Sequence, residues 1–246
     1  MIKLSEIPTT PPEGIRKSEI KKETDRLAKE IASLIYIMAA QKKHNFLFVF
    51  QGMDASGKDG VVRNIFKYCS PTAMHTVSFK KPTEDEFAHD FLWRINKHTP
   101  MKGTVSLFIR SHYEDILIQR VHNWIDEEKV NQRIEAINTF ETNLQQDNNT
   151  VVLKFYMHIS ASRQKEKLQE RIDDPRKHWK HNDGDWAERK HWDRYMFCYE
   201  DAINRSKIPW IIAPVDSRWY RDYFIGGKIL ESLKMLDLSL PGLVQK

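Results

Sequence analysis

Long hydrophobic runs are missing from the 246 residues of this chain. No apolar stretch approaches the roughly 18 residues that a membrane span needs, and the start, MIKLSEIPTTPPEG, lacks the charged-then-apolar order of a secretion signal. Only 9 glycines and 10 prolines are present, which argues against a low-complexity chain. The two cysteines, Cys69 and Cys198, are too few for a disulfide framework and show no metal-ligand spacing. We therefore expect a compact cytoplasmic protein.

Positive charge is concentrated in one stretch of the chain. Between Gln41 and Lys81 there are seven lysines and arginines and two acids, so this stretch carries the whole net charge of +5. A basic cluster that is confined to one stretch favours an anionic ligand. The alternative is a solvated charged face, which is the usual role of a charge run.

Short apolar runs of β-forming residues alternate with helical patterns. The runs predict strands at 46–50, 75–79, 104–109, 151–157 and 210–215. Apolar spacings of three and four predict helices at 18–43, 59–68, 84–97, 113–146 with an interruption near Asp126, 160–172 and 217–236. Strands that alternate with helices are typical of βαβ crossovers. We predict an α/β fold, a three-layer sandwich around a five-stranded parallel sheet, as a single domain over residues 1–246.

Two segments fall outside this alternation. Residues 1–14 are rich in proline and poor in apolar residues, which predicts an extended N-terminal arm. Residues 173–206 contain no strand candidate and carry Trp179, Trp186 and Trp192. This segment is predicted to be a helical lid, inserted between the fourth and fifth strands, that closes over a ligand at the carboxyl edge of the sheet. A helical subdomain that is packed around its tryptophans is the alternative.

The first predicted strand leads into GMDASGKDG (residues 52–60) and then into the helical pattern VVRNIFKY. Gly52, Gly57 and Lys58 match the Gly-x-x-x-x-Gly-Lys phosphate loop in the strand–loop–helix context that the motif requires. The glycines permit a tight turn, amide hydrogens at the helix start point at an anion, and the lysine adds a full charge. A purely structural turn does not need this lysine. Besides Lys58, the loop residues expected to contact the anion are Gly52, Ala55, Ser56, Gly57, Asp59 and Gly60.

The loop also contains two carboxylates. Asp59 stands where the motif has a Ser or Thr that binds magnesium, and Asp54 lies within the loop itself. A carboxylate that faces bound phosphate repels it unless a cation lies between them, so Asp54 is predicted to bind Mg²⁺ directly or through water. The alternative makes Asp54 a turn or capping residue, and for Asp59 a capping role is the prediction.

The third predicted strand ends in IRSHYEDIL (residues 109–117). Arg110 is expected at the carboxyl edge of the sheet beside the loop, where a guanidinium can stabilise charge on a transferring phosphoryl group. Ile109 occupies a place where a second metal-binding acid is common, and Glu114 and Asp115 follow it within a helical turn. Asp115 is therefore a candidate metal ligand. Its alternative role is to complement the positive end of a helix.

Four segments, GMDASGKDG, SFKKPTEDEFAHDFLWRINKHTP (residues 78–100), IRSHYEDIL and RIDDPRKHWK, occur in an order and spacing that resemble one family. From Gln51 to Tyr220 the chain is similar to the polyphosphate kinase 2 family. The resemblance implies a P-loop kinase-like fold and phosphoryl transfer from inorganic polyphosphate to AMP or ADP, or to GMP or GDP. It implies Mg²⁺, with Mn²⁺ as a substitute, and a cytoplasmic homo-oligomer, either a dimer or a tetramer. The SHYED form resembles the subclass that accepts monophosphates as well as diphosphates.

The same resemblance implies roles for individual residues. The catalytic positions of the family fall on Asp54, Lys58, Arg110 and Glu114. Its basic channel and lid positions fall on Lys80, Lys81, Arg171, Lys177 and Lys180. Relatives often carry Asp or Asn where this chain has Ile109, so the strand-end side chain that helps to place the metal is different here.

Two other functions stay open. An ATP-dependent nucleoside monophosphate kinase shares the sheet, the loop and the lid, and differs in its donor. A nucleic-acid-binding module would use the basic stretch and the aromatic side chains, but the sequence contains no groove-reading helix motif, and such a module leaves the loop acids unexplained. We therefore expect polyphosphate and nucleotides as partners, and neither nucleic acid nor a membrane.

Overall fold

The structure is a computed structural model that describes residues 1–243. The strands in this range are β1 (Asn45–Gln51), β2 (Met74–Ser78), β3 (Val105–Ile109), β4 (Thr150–His158) and β5 (Trp210–Pro214). They form one parallel sheet with the order β2-β3-β1-β4-β5. The predicted five-stranded parallel sheet is confirmed for the described part of the chain.

Helices cover both faces of this sheet. They are α1 (Lys17–Gln41), α2 (Lys58–Ile65), α3 (Glu84–Phe87), α4 (Trp93–Asn96), α5 (Glu114–Val121), α6 (Glu127–Asn148), α7 (Ala161–Asp173), α8 (Asp183–Arg189), α9 (Trp192–Arg205) and α10 (Arg218–Lys234). α1, α2 and α10 pack on one another, while α5 packs on α6 and α9. Phe48 of β1 contacts Phe66 after α2, whereas Gln51, which points to the opposite face, bonds Glu114 of α5. The three-layer sandwich is therefore confirmed.

The centre of the sheet determines where a ligand can bind. β1 is buried along its whole length and lies between β3 and β4, with Phe50 in register with Ile109 and Phe155. The chain runs from β1 to the β2 edge, returns through β3 and then crosses to β4, so its direction of travel reverses beside β1. Ligands of open α/β sheets bind at the carboxyl ends of the strands at such a reversal. The residues that follow β1 and β3 meet there.

Two helical predictions differ in detail from the structure. The stretch predicted as one helix over 84–97 is two single turns, α3 and α4, because Asp90 accepts hydrogen bonds from the backbone of Leu92 and Trp93 at 3.0 Å each and forms a turn between them. The predicted helix over 113–146 is interrupted as expected. Asp126 accepts a hydrogen bond from Lys129 N at 2.8 Å and caps the start of α6.

The apolar faces of the first and last helices pack against each other. Leu27 and Ile31 of α1 and Ile225 and Ile229 of α10 are all buried. These faces therefore belong to the core of the chain. None of the helices within residues 1–243 is long and apolar enough to cross a membrane.

The two segments outside the sheet attach to its β4–β5 side. In the arm, Leu4 is buried and its backbone N–H donates to Glu200 of α9 at 2.7 Å, while Thr9 bonds Asp216 after β5. Residues 173–206 contain helices and no strand, and α9 buries Tyr195 and Tyr199 against the rest of the chain. The arm and lid boundaries stay predictions.

Candidate active site

The loop after β1 has a backbone that requires glycine. Gly52 and Gly57 have φ values of 147° and 92°, and Ala55 between them has a φ of 65°. A Cβ on Gly52 would lie 2.9 Å from the carbonyl oxygen of Met157, and one on Gly57 would lie 2.2 Å from Nη1 of Arg221. The loop is therefore enclosed by β4 on one side and by α10 on the other.

Lys58 begins α2 and is almost completely buried, with 6% of its surface exposed. Its Nζ donates to the carbonyl oxygens of Gly52 and Met53, at 2.7 and 3.1 Å. Burial, reinforced by the charge of Arg110, lowers the pKa of Lys58 to about 8, although the carboxylate of Asp54 acts in the opposite direction. The ammonium group of Lys58 therefore lies at the start of the loop, where it can contact a phosphate bound there.

Arg110 joins the loop to the segment that follows β3. Its Nη2 donates to Asp54, and its Nε lies 3.9 Å from Glu114 Oε1. Burial acts to raise the pKa of Asp54, but Lys58 and Arg110 outweigh it and hold that pKa below its ordinary value. Burial raises the pKa of Glu114 despite Arg110. Four residues predicted as catalytic therefore lie together: Asp54, Lys58, Arg110 and Glu114.

Asp115 is held in a different way. It is 4% exposed, its Oδ2 lies 3.4 Å from Nη2 of Arg94, and its Oδ1 accepts from Gln119 at 2.9 Å. Burial raises the pKa of Asp115 in spite of Arg94 and Arg133. Both carboxylate oxygens already have donors, which favours a structural role for Asp115 in a hydrogen-bond network. The metal role predicted for Asp115 stays a prediction.

The other loop residues occupy distinct positions. Ser56 is 2% exposed and its hydroxyl has no hydrogen-bond partner within residues 1–243, so it is free to bond a ligand. Asp59 is exposed in the first turn of α2 and makes no capping bond from its side chain. A Cβ on Gly60 would lie 3.1 Å from Nη2 of Arg221.

The predicted basic positions fall into two groups. Lys80 and Lys81 are exposed and line a cavity of about 380 Å³ that also contacts Gly52, Asp54, Arg110 and Glu114. Three others are engaged with residues of α7, α8 and the turn between them. Arg171 pairs with Asp185 of α8, Lys177 lies 3.1 Å from Asp174, and Lys180 lies over Trp179. Within the described chain, none of these three residues lines the cavity.

Sequence reasoning missed three features of this site. Gln51 donates to Glu114 and accepts from Ser111 at 3.2 Å, and its only signal was a polar residue that closes an apolar strand. Arg221 is buried against the loop glycines and bonds Asp222 at 2.6 Å. The third feature is a set of aromatic side chains in the cavity wall, which includes Phe79, Phe87 and Trp124.

A second cavity of about 470 Å³ lies between α1, α2 and the start of α10. Four cations and two acids contribute to its wall: Lys17, Lys21, Lys67, Arg218, Asp25 and Asp222. Asp222 bonds both Arg221, which contacts the loop, and Asn64 of α2. The cavity is therefore linked to the phosphate loop through Asp222 and Arg221.

The parallel sheet with its glycine loop, buried lysine and adjoining arginine defines a P-loop protein of the kinase-like α/β class. More narrowly, the chain belongs to the polyphosphate kinase 2 family, because the family model described as Polyphosphate kinase 2 matches residues 14–240. The resemblance found in the sequence motifs is thereby confirmed.

Individual relatives agree with this assignment. The chain is 39% identical over 218 residues to the AMP/ADP-polyphosphate phosphotransferase of Meiothermus ruber, covering 87% of this chain and 81% of that protein. It is 34% identical over 237 residues to the ADP-polyphosphate phosphotransferase of Rhodopseudomonas palustris, covering 90% of this chain and 80% of that protein. The crystal structure of Polyphosphate Kinase 2 from Arthrobacter aurescens TC1 superposes with a TM-score of 0.96 at 35% identity, covering 100% of this chain and 89% of that one.

Proposed function

We propose that this protein transfers a phosphoryl group from inorganic polyphosphate to nucleoside mono- or diphosphates, with Mg²⁺. The observation that carries the proposal is the contact between the phosphate loop and the segment after β3, where Lys58 and Arg110 lie on either side of Asp54. Two cations beside one carboxylate, at the carboxyl edge of a parallel sheet, suit a site that holds phosphate and a divalent metal together. The names of the similar enzymes support the choice of donor and acceptor.

The transfer proceeds in line. A terminal phosphate oxygen of the nucleotide attacks the end phosphorus of polyphosphate, and the bond from that phosphorus to the shortened chain breaks. Lys58 and Arg110 stabilise the charge on the oxygens of the phosphoryl group in transit. No covalent enzyme intermediate is needed, since such transfers depend mainly on positioning and charge.

The carboxylates of this site fit a hard cation. Asp54 keeps a quarter of its side chain exposed, at 25%, and Glu114 keeps 22%. Mg²⁺ binds one or two protein carboxylates together with phosphate oxygens and water, so no larger cluster of acids is required. When bound, the metal would neutralise charge between the two phosphate groups that react. Asp54, with its lowered pKa, would hold it, and Glu114 lies on the other side of Arg110.

The wall of the cavity combines two kinds of side chain, which supports a nucleotide as its occupant. Its wall combines the loop and Arg110 with the aromatic rings of Phe87 and Trp124, which are 57% and 66% exposed. A nucleotide combines an anion with a flat aromatic base, and bases stack on such rings. We place the nucleotide phosphate at the loop and the base at Trp124.

The second, basic cavity supports a long anion as the donor. It lies on the α1–α2–α10 side of the loop, and its wall combines Lys17, Lys21, Lys67 and Arg218. A polyphosphate chain extends beyond the phosphate that reacts, whereas ATP would need a second base-binding site. Exposed lysines at both cavities would serve to hold such a chain, and its binding should weaken with rising salt.

The assay compares donors. Purified protein with Mg²⁺ and AMP or ADP receives either long-chain polyphosphate or ATP, and new nucleotide phosphates are separated by ion-exchange chromatography. We expect ADP and ATP to form with polyphosphate. Formation with ATP and AMP alone would assign the chain to nucleoside monophosphate kinases. Retention of RNA at moderate salt without any transfer would favour a nucleic-acid-binding module.

Three further properties are expected from the family resemblance. Mn²⁺ should replace Mg²⁺ in the assay, as a titration with each metal would reveal. The chain should form a dimer or a tetramer, which light scattering measures. It should be found in the cytoplasmic fraction of cells, with its lid at 173–206 less accessible to protease when substrates are bound.

A further inference from the structure

A buried ion pair lies behind the active site and takes no part in the proposed chemistry. Lys154 of β4 and Glu141 of α6 approach to 2.6 Å, and both side chains are 0% exposed. Nε2 of His112 donates to Glu141 Oε1 at 3.1 Å, and Lys154 Nζ donates to the hydroxyl oxygen of Tyr113 at 2.7 Å. We call these four residues the buried anchor. Neither Glu141 nor Lys154 lines the cavity within the described chain.

The two partners of this ion pair differ in how burial affects their charge. Burial lowers the pKa of Lys154 even though Glu141 faces it, whereas for Glu141 burial acts to raise the pKa, but His112 and Lys154 outweigh it and hold that pKa below its ordinary value. Replacing a buried ion pair with apolar residues of similar volume is often neutral or stabilising. We therefore ask which neighbouring residues the ion pair holds in place.

Glu141 and Lys154 hold His112 and Tyr113, which lie two and three residues after the strained backbone of Arg110. Arg110 has a φ of 60°, in the left-handed region that a residue with a side chain rarely adopts. Such conformations persist only when their surroundings fix them, and they concentrate at functional sites. On one side the Arg110 N–H donates to Phe50 O at 3.0 Å. On the other side, the chain is fixed at His112 and Tyr113.

The same segment carries both groups that face the phosphate loop. Arg110 precedes the anchored residues and Glu114 follows them, and both side chains point into the cavity that contains Asp54. Tyr113 is fixed further by Ser206 Oγ, 3.1 Å from its hydroxyl. A rotation of the backbone at 112 or 113 would carry Arg110 and Glu114 in different directions.

We propose that Glu141 and Lys154 are positioning residues of the active site, which act through His112 and Tyr113 to hold Arg110 and Glu114 against the phosphate loop. The proposal rests on the proposed function for its kinetic readout, and it has a structural readout that does not need turnover. Because the anchor touches no substrate, its loss should lower kcat and leave the KM values for nucleotide and polyphosphate almost unchanged.

The main variant is the apolar pair Glu141→Leu with Lys154→Met, which preserves volume and removes the ion pair together with its bonds to His112 and Tyr113. We expect the variant to fold with a somewhat lower melting temperature, because the buried His112 ring loses its partner, while kcat falls at least about tenfold and both KM values change less than about twofold. A wild-type kcat in the folded variant overturns the proposal. If the double variant does not fold, Tyr113→Phe replaces it in the test, because it removes only the hydroxyl that accepts from Lys154. We expect a severalfold loss of kcat in Tyr113→Phe. An unchanged kcat in Tyr113→Phe also overturns it.

Asn138→Leu is the matched control. It lies on α6 one turn before Glu141, is 7% exposed, and bonds Arg205 O and Lys207 N at 3.0 and 2.8 Å, on either side of Ser206, with no hydrogen bond to residues 110–114 in the described chain. The Asn138→Leu variant should have a lower melting temperature, while the kcat of its folded form stays at the wild-type value. If Asn138→Leu lowers kcat as much as the apolar pair does, general loosening explains the effect and the positioning role is wrong.

The structural readout is a crystal structure of the apolar pair. We expect Arg110 to leave its left-handed conformation or to lose its contact with Asp54. An Arg110 that keeps its φ near 60° and both carboxylate contacts overturns the proposal, whether or not the protein is active. If the wild type transfers no phosphoryl group, the proposed function is wrong. The crystal structure of the double variant would still test the positioning role of Glu141 and Lys154.

Discussion

Replacing the loop lysine by methionine should make the protein more stable and inactive. The pKa of Lys58 falls from 10.5 to about 8 because the side chain is buried. At about 1.4 kcal/mol per pK unit, keeping the lysine charged at neutral pH costs about 3 kcal/mol of folding free energy. Lys58→Met removes this cost and leaves the carbonyl oxygens of Gly52 and Met53 without their donor, which offsets about 1 kcal/mol. A net gain of about 2 kcal/mol is expected at pH 7.

The pH dependence distinguishes this explanation from a simple packing effect. Between pH values of about 8 and 10.5 the unfolded wild type keeps the proton on Lys58 while the folded protein has lost it, so wild-type stability rises with pH. The advantage of Lys58→Met should therefore shrink across this window. Urea unfolding of both proteins without substrate measures it, with the exposed Lys102→Met as the control, for which changes within about 0.5 kcal/mol are expected. A variant less stable than the wild type at pH 7, or an advantage independent of pH, would refute the reasoning.

Three further results are expected. In steady-state assays kcat/KM for polyphosphate should decline as the pH rises through about 8, because the free enzyme loses the charge of Lys58; a rate that increases up to pH 10 would contradict this. Gly57→Ala should lose at least about 2 kcal/mol in urea unfolding, since a φ of 92° is unfavourable for alanine and its Cβ would lie 2.2 Å from a guanidinium nitrogen. Gly227→Ala, which meets nothing within 4 Å, should gain up to about 1 kcal/mol, and equal losses in both variants would be inconsistent with this geometry. Trp124→Ala should raise KM for AMP about tenfold and leave KM for polyphosphate unchanged. Tyr36 is equally exposed, at 66%, and Tyr36→Ala should change neither KM value. Identical behaviour of the two variants would show that the nucleotide base does not bind at Trp124.

The sheet and the loop could be predicted because their signals are local. Five apolar runs with helices between them determine a parallel sheet, and the short segment from Gly52 to Lys58 contains the whole phosphate-loop motif. Arg110 could be placed beside it because parallel strands end at one edge. The helix predicted at 84–97 was wrong in detail, because the turn at Asp90 interrupts it through its own hydrogen bonds.

The partners of charged side chains could not be predicted in the same way. Lys177, which the resemblance implies at a channel or lid position, lies beside Asp174, three residues away, and the sequence did not indicate this partner. Arg221 approaches Gly57 from the last helix, and Lys154 meets Glu141 inside the core. These contacts depend on how distant elements pack, and no periodicity in the sequence specifies the direction in which a long charged side chain points.

The most direct test of the proposed function follows the phosphorus atom. Protein with Mg²⁺ and AMP is incubated with polyphosphate labelled with ³²P, and the products are separated from the protein. We expect label in the β-phosphate of ADP, none bound covalently to the wild-type protein in the absence of nucleotide, and no transfer by Lys58→Ala. Labelled protein that forms without nucleotide would contradict direct transfer, and unchanged labelling of ADP by Lys58→Ala would contradict the role of the phosphate loop.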